Sequence, residues 1–365
     1  MLRRDFVKIS SAAGAGFLGA NTLNSCVGTY NPKIINAVWD EKFVFDSKNE
    51  IERIRQLVRC GVMAPSGHNT QPWHFMISDG RIELLPDFSR SLPVADRYNR
   101  ELFISLGCCL ENILISAPLF GYTAEYEIKN GASPSIVIYL SSGETASDKS
   151  QFDSMRLRQT TRNRYQEGKL PGDFLSSINP DKETKFFFSE DKESYNLLLD
   201  YIKEGNRLLF GNEDFLAELK EWIRFSDSEA EEKLDGLYSR ALGNPSTARW
   251  FGKMAFNLSV TPKTQNKGDE EYIRSSSGLL FWFGQDSVDE WIETGRKLEQ
   301  TLINITGMNL KYAFHNQPCQ AEALRKDFAK DFGYRDSMPQ AVIRIGYSDF
   351  LPRSPRRKIQ DVIIQ

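Results

Sequence analysis

The stretch Ala64-Pro65-Ser66-Gly67-His68-Asn69-Thr70-Gln71-Pro72-Trp73 organises the reading of this chain. Just before it, Ile51, Ile54, Leu57, Val58 and Val62 repeat at helical spacing, and Ser47-x-x-Glu50 has the form of a capping box. Pro65 disfavours helix at Ala64, so the helix ends there and a loop follows. The loop runs straight into a strand-like segment at 74–78. It offers free backbone amides, the Ser66 hydroxyl, two carboxamides, an imidazole and an indole. Those groups suit the hydrogen-bonding edge of a flat heteroaromatic ring. The rest of the chain has to supply such a ring with a wall and an anchor.

At 365 residues the chain exceeds the usual size of one domain, which predicts two lobes or a duplicated fold. Its 46 Lys and Arg against 49 Asp and Glu give a formal charge of -3. A mildly acidic chain without a basic block gives no support for nucleic-acid binding. No stretch reaches the ~18 consecutive apolar residues that a membrane helix needs. Only three histidines are present, none at zinc-ligand spacing from another His or a Cys, so a metal site is not expected. Cys108 and Cys109 are adjacent, a poor geometry for a disulfide, and buried thiols are the expectation for them and for Cys60 and Cys319.

The first residues read as an address. Arg3-Arg4-Asp5-Phe6-Val7-Lys8 followed by a weakly apolar, small-residue run to Ala20 resembles a twin-arginine export signal. Gly14, Gly16 and Gly19 argue against an ordinary N-terminal helix. Leu23-Asn24-Ser25-Cys26 resembles a lipoprotein cleavage box, with Cys26 as the lipid-bearing residue. These features imply export through a bacterial inner membrane by the twin-arginine machinery, to a periplasmic or lipid-anchored state. The match of residues 14–19 to G-x-G-x-x-G has no preceding strand and no acidic residue at the right place, so it is spurious.

Residues 1–25 are thus expected as a signal peptide, 26–46 as a tether, 47–150 as a first lobe and 151–365 as a second. Asp79-Gly80 between apolar runs signals a hairpin. Residues 100–120 are apolar almost all round, the mark of a helix buried on every side, and Gly121 closes it. Strands are expected at 123–128 and 135–140, and a polar break at 141–151. Helices are expected around 192–210, 212–224 and 229–240. The mixed segment 243–276 is too long for an ordinary connection and reads as functional or mobile. A strand at 278–283 precedes a helix opened by Ser287-x-x-Glu290, and the last strand, 340–347, leads to the basic tail Arg353-Ser354-Pro355-Arg356-Arg357-Lys358.

Two helices match each other without gaps: Gly107-Cys108-Cys109-Leu110-Glu111-Asn112-Ile113-Leu114-Ile115 and Gly295-Arg296-Lys297-Leu298-Glu299-Gln300-Thr301-Leu302-Ile303. Each is followed by a Pro-led strand, Pro134-Ser135-Ile136-Val137-Ile138 and Pro339-Gln340-Ala341-Val342-Ile343. Each glycine would let another helix approach closely. The expectation is two related lobes packed as subunits of a dimer would be, which makes a monomer plausible. The Pro-Ser-x-x-Asn loop occurs only in the first lobe. Arg158, Thr160 and Arg162 head the second, and Arg356 and Arg357 end it. Guanidinium forks and a hydroxyl suit a phosphate, so one site assembled across the lobe interface is expected.

The Pro-Ser-x-x-Asn-x-Gln-Pro-Trp string resembles the flavin loop of the nitroreductase superfamily. Arg158-Gln159-Thr160-Thr161-Arg162 and the ending from Val342 to Arg357 are similar to that family's arginine motif, last strand and basic tail. The order of features over 48–365 looks most like the Acg-type branch, in which one chain resembles a fused dimer. The resemblance implies an α+β fold with FMN between the lobes, and NAD(P)H as the electron donor to a small nitro- or quinone-like acceptor. Pro65, Ser66, Gly67, Asn69 and Gln71 would serve the ring side. Arg158, Thr160, Arg162, Arg356 and Arg357 would hold the phosphate, and Gln317 would lie beside the ring's reactive edge. Residues 243–276 would act as a lid. Gly67-His68 departs from the commoner small pair, and Thr160 stands where simpler members have Ser. No acid–base set commits itself to catalysis; His68 is the one nearby proton-transfer candidate, with an ordinary hydrogen-bonding loop histidine as the plainer reading. Two further readings stay open: an exported FMN-sequestering protein without turnover, and a flavin-free relic.

Overall fold

The computed structural model describes residues 28–131, 133–178 and 180–364, so the signal-like segment and Cys26 lie outside the described residues. In the first lobe α1 (Glu50–Gly61) is capped by Asn49, whose side chain accepts from the Glu52 amide; Ser47 instead accepts from the Asn49 amide. The cap is therefore Asn49, two residues later than the Ser47 box suggests. β1 (Trp73–Ser78) and β2 (Arg81–Pro86) form the hairpin that Asp79-Gly80 predicts, with Gly80 at φ 62°. α2 (Arg100–Ser116) continues as a 3-10 turn to Phe120, and Gly121 stops it at φ 75°. By length and composition this helix could cross a membrane, yet its sides are packed inside the protein. β3 (Tyr122–Lys129) and β4 (Ser135–Ser142) complete an antiparallel set in the order β1-β2-β4-β3.

Downstream, α3 (Ser150–Leu157) leads into the second lobe, where β5 (Thr184–Phe188) is the first strand. The space that a two-residue turn fills in the first lobe is filled here by an insertion, residues 189–277. It holds α4 (Lys192–Leu209), α5 (Glu213–Trp222), α6 (Asp227–Lys233), α7 (Arg249–Ser259) and α8 (Pro262–Arg274). α6 ends seven residues before the expected 240, because Leu234 and Gly236 adopt positive φ and Leu237–Tyr238 pairs in parallel with Ile223–Arg224. Residues 243–276, expected as mixed structure, form two helices; Thr261 and Thr264 make a reciprocal capping box and Pro262 occupies the first turn. β6 (Gly278–Gly284), α9 (Val288–Gly307), β7 (Lys311–Phe314), α10 (Glu322–Asp331) and β8 (Met338–Gly346) follow. The second sheet runs β5-β6-β8-β7, all antiparallel, with a long helix between its second and third strands in chain order. That is the arrangement of the first sheet.

Both ends of the described chain cross the expected lobe boundaries. Residues 31–45 are more than a tether: Val38, Trp39 and Phe43 are buried against the main core, and Ile35 is buried with Ala230, Tyr238 and Ala241 of the insertion. After the basic tail, β9 (Ile363–Ile364) pairs in parallel with β1 of the first lobe, Phe75 opposite Ile363. The tail therefore belongs to the first sheet in space and to the second lobe in sequence.

The lobes meet where α2 crosses α9. A Cβ on Gly107 would run into the Ile292 carbonyl oxygen and come within 2.9 Å of the Gly295 Cα; a Cβ on Gly295 would run into the Ile104 carbonyl and come as close to the Gly107 Cα. The contacts exchange under the register that aligns the two helices in sequence. Neither backbone can move without parting the lobes. Gly107→Ala or Gly295→Ala is accordingly expected to lower stability by about 3 kcal/mol or more, at or beyond the top of the range for overpacking. Chemical denaturation of each variant checks this; a loss within ~0.5 kcal/mol would show that the crossing is loose.

Candidate functional site

Three residues of the loop between α1 and β1 hold positive φ without being glycine: His68 at 47°, Asn69 at 55° and Gln71 at 53°. Such backbone costs on the order of 1–3 kcal/mol per residue and persists only when neighbours fix it. Here the neighbours are remote in sequence. Asn69 donates to the Gly236 carbonyl (3.0 Å) and the Pro355 carbonyl (3.2 Å), and its oxygen accepts from Arg356 (2.8 Å). Gln71 donates to the Leu234 carbonyl (2.9 Å) and accepts from the Arg357 amide (2.7 Å). Ser66 accepts from the Gln71 amide at 2.9 Å. Asn69 and Gln71 thus tie the insertion and the C-terminal tail to the loop, while Pro65, Ser66, Gly67 and His68 line a cavity of about 260 Å³.

The cavity lies between the lobes. One face of α2, with Glu101, Ile104, Ser105 and Cys108, forms one side; Arg162, Phe314, Gln317 and Gln340 come from the second lobe. Its apolar wall is built by Leu209, Phe210, Phe215, Leu219 and Leu237, from the earlier part of the insertion. No residue of 243–276 is among the described lining; α8 reaches the site only through Asp269, which accepts from Gln317 at 3.1 Å.

The expected phosphate residues separate into two groups. Arg158 is buried in a 2.9 Å ion pair with Glu299 and donates to the Tyr312 hydroxyl at 2.6 Å, so its charge is already matched. Thr160 makes a bridge to Tyr312. Arg356 donates to the carbonyls of Val62, Met63 and Ala64, and Arg357 to those of Gln71 and Asp361; Arg357 also lies 3.6 Å from Asp87. Arg162 is different: it lines the cavity, and among the described residues it has no hydrogen-bond or ion-pair partner.

Two further cations escaped the sequence reading. Lys311 is buried with its ammonium 3.3 Å from the Phe350 ring centroid, and Arg353 lies 4.5 Å from the Trp39 ring; neither has an ion-pair partner among the described residues. Burial first, and then Arg353, pull Lys311 down to about 8. Burial first, then Arg158 and Arg353, bring Arg356 down to about 9. Arg353 stood in the basic tail; nothing local marked Lys311, since its neighbours come from residues 350–353. Glu101 was also missed, though a charged residue opening an otherwise apolar helix was a visible signal. Its carboxylate accepts from Gln320 (3.0 Å) and Asn316 (3.3 Å), and burial raises its pKa.

These features fit FMN at both ends. The buried His68 Nδ1, Gln317 Oε1 and Gln340 Oε1 lack hydrogen-bond partners, and with Arg162 they present both donors and acceptors to the edge of a ring. The surplus of Lys311, Arg353 and Arg356 over nearby acids suits a dianion.

Burial, then Arg162, hold His68 down to about 4 from an ordinary 6.5. Between those values the unfolded chain binds a proton that the folded chain refuses, so stability falls as pH drops through that window. Glu299, raised to about 7 by burial, acts in the opposite sense, losing stability as pH rises from its ordinary 4.5. His68→Gln should remove the first contribution alone. Denaturation midpoints of the variant should fall less steeply than those of the parent between pH 6.5 and pH 4; parallel slopes would show that His68 is solvated.

Residues 46–147 match the Nitroreductase family model, described as the nitroreductase family. Among curated proteins, "Putative NAD(P)H nitroreductase acg" of Mycobacterium tuberculosis H37Rv is 23% identical over 324 residues, spanning 85% of this chain and 94% of its own length. "Putative NAD(P)H nitroreductase Rv3131" of the same organism is 21% identical over 330 residues, with 86% and 92% covered. Among solved structures, a nitroreductase described as putative from Anabaena variabilis aligns with a TM-score of 0.46 and 11% identity over 95% of this chain and 99% of its own. The segment carrying the organising loop, α2 and the first sheet is therefore similar to the nitroreductase family, within a chain of α+β fold.

Proposed function

We propose that this chain is an FMN-dependent oxidoreductase that takes electrons from NAD(P)H and passes them to a small nitro- or quinone-like acceptor. The observation that carries the reading is the set of unpartnered polar atoms on His68, Gln317 and Gln340 that lines one inter-lobe cavity together with Arg162, in a chain whose first lobe matches the nitroreductase family. The names of the Mycobacterium relatives support the donor. FMN, when bound, supplies the redox chemistry; the protein supplies position and electrostatics. Pro65, Ser66 and Gly67 would wall the ring, and Gln317 and Gln340 would accept from it. Arg162, with no anion of its own, would favour negative charge developing on the ring. Lys311, Arg353 and Arg356 would hold the phosphate, with Thr160 and Arg357 beside them. Arg158 would act by fixing Tyr312 and the lobe interface. On the same proposal, the twin-arginine segment exports the protein folded and Cys26 anchors it by lipid.

One observation favours a second reading. The five apolar side chains at Leu209, Phe210, Phe215, Leu219 and Leu237 wall the cavity, and on this reading they would keep a donor from the ring, as a flavin-sequestering protein would require.

The purified protein is expected to be yellow, to release FMN on denaturation, and to lose its oxidised absorbance when mixed anaerobically with NADH or NADPH. Retained FMN that neither nucleotide bleaches would select the sequestering reading; a colourless protein that cannot be reconstituted sinks both. The arginines should separate cleanly. Arg162→Ala should weaken FMN binding about tenfold or more, the scale of one charge-assisted contact, and leave the stability of the apoprotein unharmed. Arg158→Ala should cost the apoprotein about 3 kcal/mol, because Glu299 loses its buried cation and Tyr312 its donor. Apoprotein denaturation and FMN titration measure the two; equal losses of apoprotein stability would contradict the division of roles.

A further inference from the structure

The insertion at 189–277 has two apolar sides. On the inner one, Leu219 and Leu237 line the cavity and also pack with Ile223, Phe225 and Phe256 into a small core. α7 covers that core with Gly252, Ala255 and Phe256 turned inward, Gly252 lying directly on the Phe225 ring. Its outer side carries Trp250, Met254 and Leu258, which are 64%, 44% and 72% exposed. Spaced i, i+4 and i+8, they form one stripe along the helix. A helix that has already buried its opposite face gains nothing in folding from this stripe, and a contiguous exposed apolar patch marks an interaction surface.

The start of the described chain indicates what covers it. Gly28 is packed against Ser228 at the head of α6, where an added Cβ would sit 2.9 Å from the Ser228 amide nitrogen. The next residue, Glu229, pairs at 3.1 Å with Arg249, which immediately precedes Trp250. Gly28, the first described residue, is thus linked through Ser228 and Glu229 to the head of the stripe, and the lipid anchor proposed at Cys26 stands two residues before it in the sequence. On α8, Lys263 and Lys267 are exposed and without an ion-pair partner among the described residues, so they can meet lipid phosphates. We propose that the outer face of α7 is a bilayer-contacting surface, which lays Trp250, Met254 and Leu258 into the headgroup–acyl boundary of a membrane containing anionic phospholipid. A tryptophan leading an apolar stripe, with exposed lysines on the helix that follows, is the composition that lies in that boundary. Docked in this way, the apolar wall of the cavity is separated from the lipid by α7 and the small core beneath it. The surface does not depend on acylation or on FMN.

The test uses the full chain with Cys26→Ser and Leu258→Cys, labelled at position 258 with an environment-sensitive fluorophore. Cys60, Cys108, Cys109 and Cys319 are buried and do not compete for the label. A control replaces Leu258→Cys by Tyr139→Cys, on the exposed side of the first sheet. With vesicles of phosphatidylethanolamine and phosphatidylglycerol, the label at 258 should shift to the blue and the label at 139 should not. Adding Trp250→Ser should weaken the partition read by the 258 label about tenfold, the scale for one large apolar side chain. A vesicle-bound protein whose 258 label keeps its aqueous emission overturns the proposal. So does a blue shift that appears without vesicles and grows with protein concentration, which would give this face to a second copy of the chain.

Discussion

The contact of Gly107 with Gly295 is the constraint on which the rest depends. Two long helices approach until each glycine lies against the other's backbone, a distance that no side chain permits. Only at that separation does the face of α2 carrying Glu101, Ser105 and Cys108 form one wall of a cavity whose other side holds Arg162, Gln317 and Gln340. The same crossing buries Glu299 beside Arg158. An ion pair taken out of water gives little net stability, but losing one partner is costly, so the pair fixes the register of the lobes more than it strengthens them.

The C-terminal tail is the second tie. It leaves β8 in the second lobe, passes Arg353 over Trp39, locks Asn69 and Gln71 through Arg356 and Arg357, and ends as β9 on the first sheet. The loop needs that support. Of its three non-glycine residues at positive φ, Asn69 and Gln71 are held by hydrogen bonds to residues more than 160 positions away. Strain of this kind is met where a binding surface has to be rigid before its ligand arrives. The insertion supplies the remaining support through Leu234 and Gly236, and also the apolar wall, so one segment both braces the loop and covers the cavity.

Local chemistry made much of this fold legible. Asp79-Gly80 placed the hairpin, Gly121 ended α2, and the gapless match of residues 107–115 to 295–303 anticipated both the repeated sheet order and the glycine contact. The boundaries that failed were set by competition between neighbouring signals. Asn49 displaced Ser47 as the cap by one local hydrogen bond, and α6 stopped early because Leu237–Tyr238 had a strand to join. Residues 243–276 hid two helices whose start, Thr261-Pro262, was present but outweighed by scattered glycine and asparagine.

The sequence by itself determined which kinds of group could meet: a loop rich in hydrogen-bonding residues, a set of arginines, and two glycine-bearing helices able to bring them together. Spacing and residue type are local properties, and they survive being read along a line. The tertiary structure decided which of those groups remain available. Asn69, Gln71 and Arg158 are engaged by backbone carbonyls, a backbone amide and a carboxylate, while among the described residues Arg162, Lys311 and Arg353 have no ion-pair partner. Whether a cation is matched depends on what the folded chain brings within about 4 Å of it. That distance is fixed only after the two helices have crossed and the tail has returned to the first sheet.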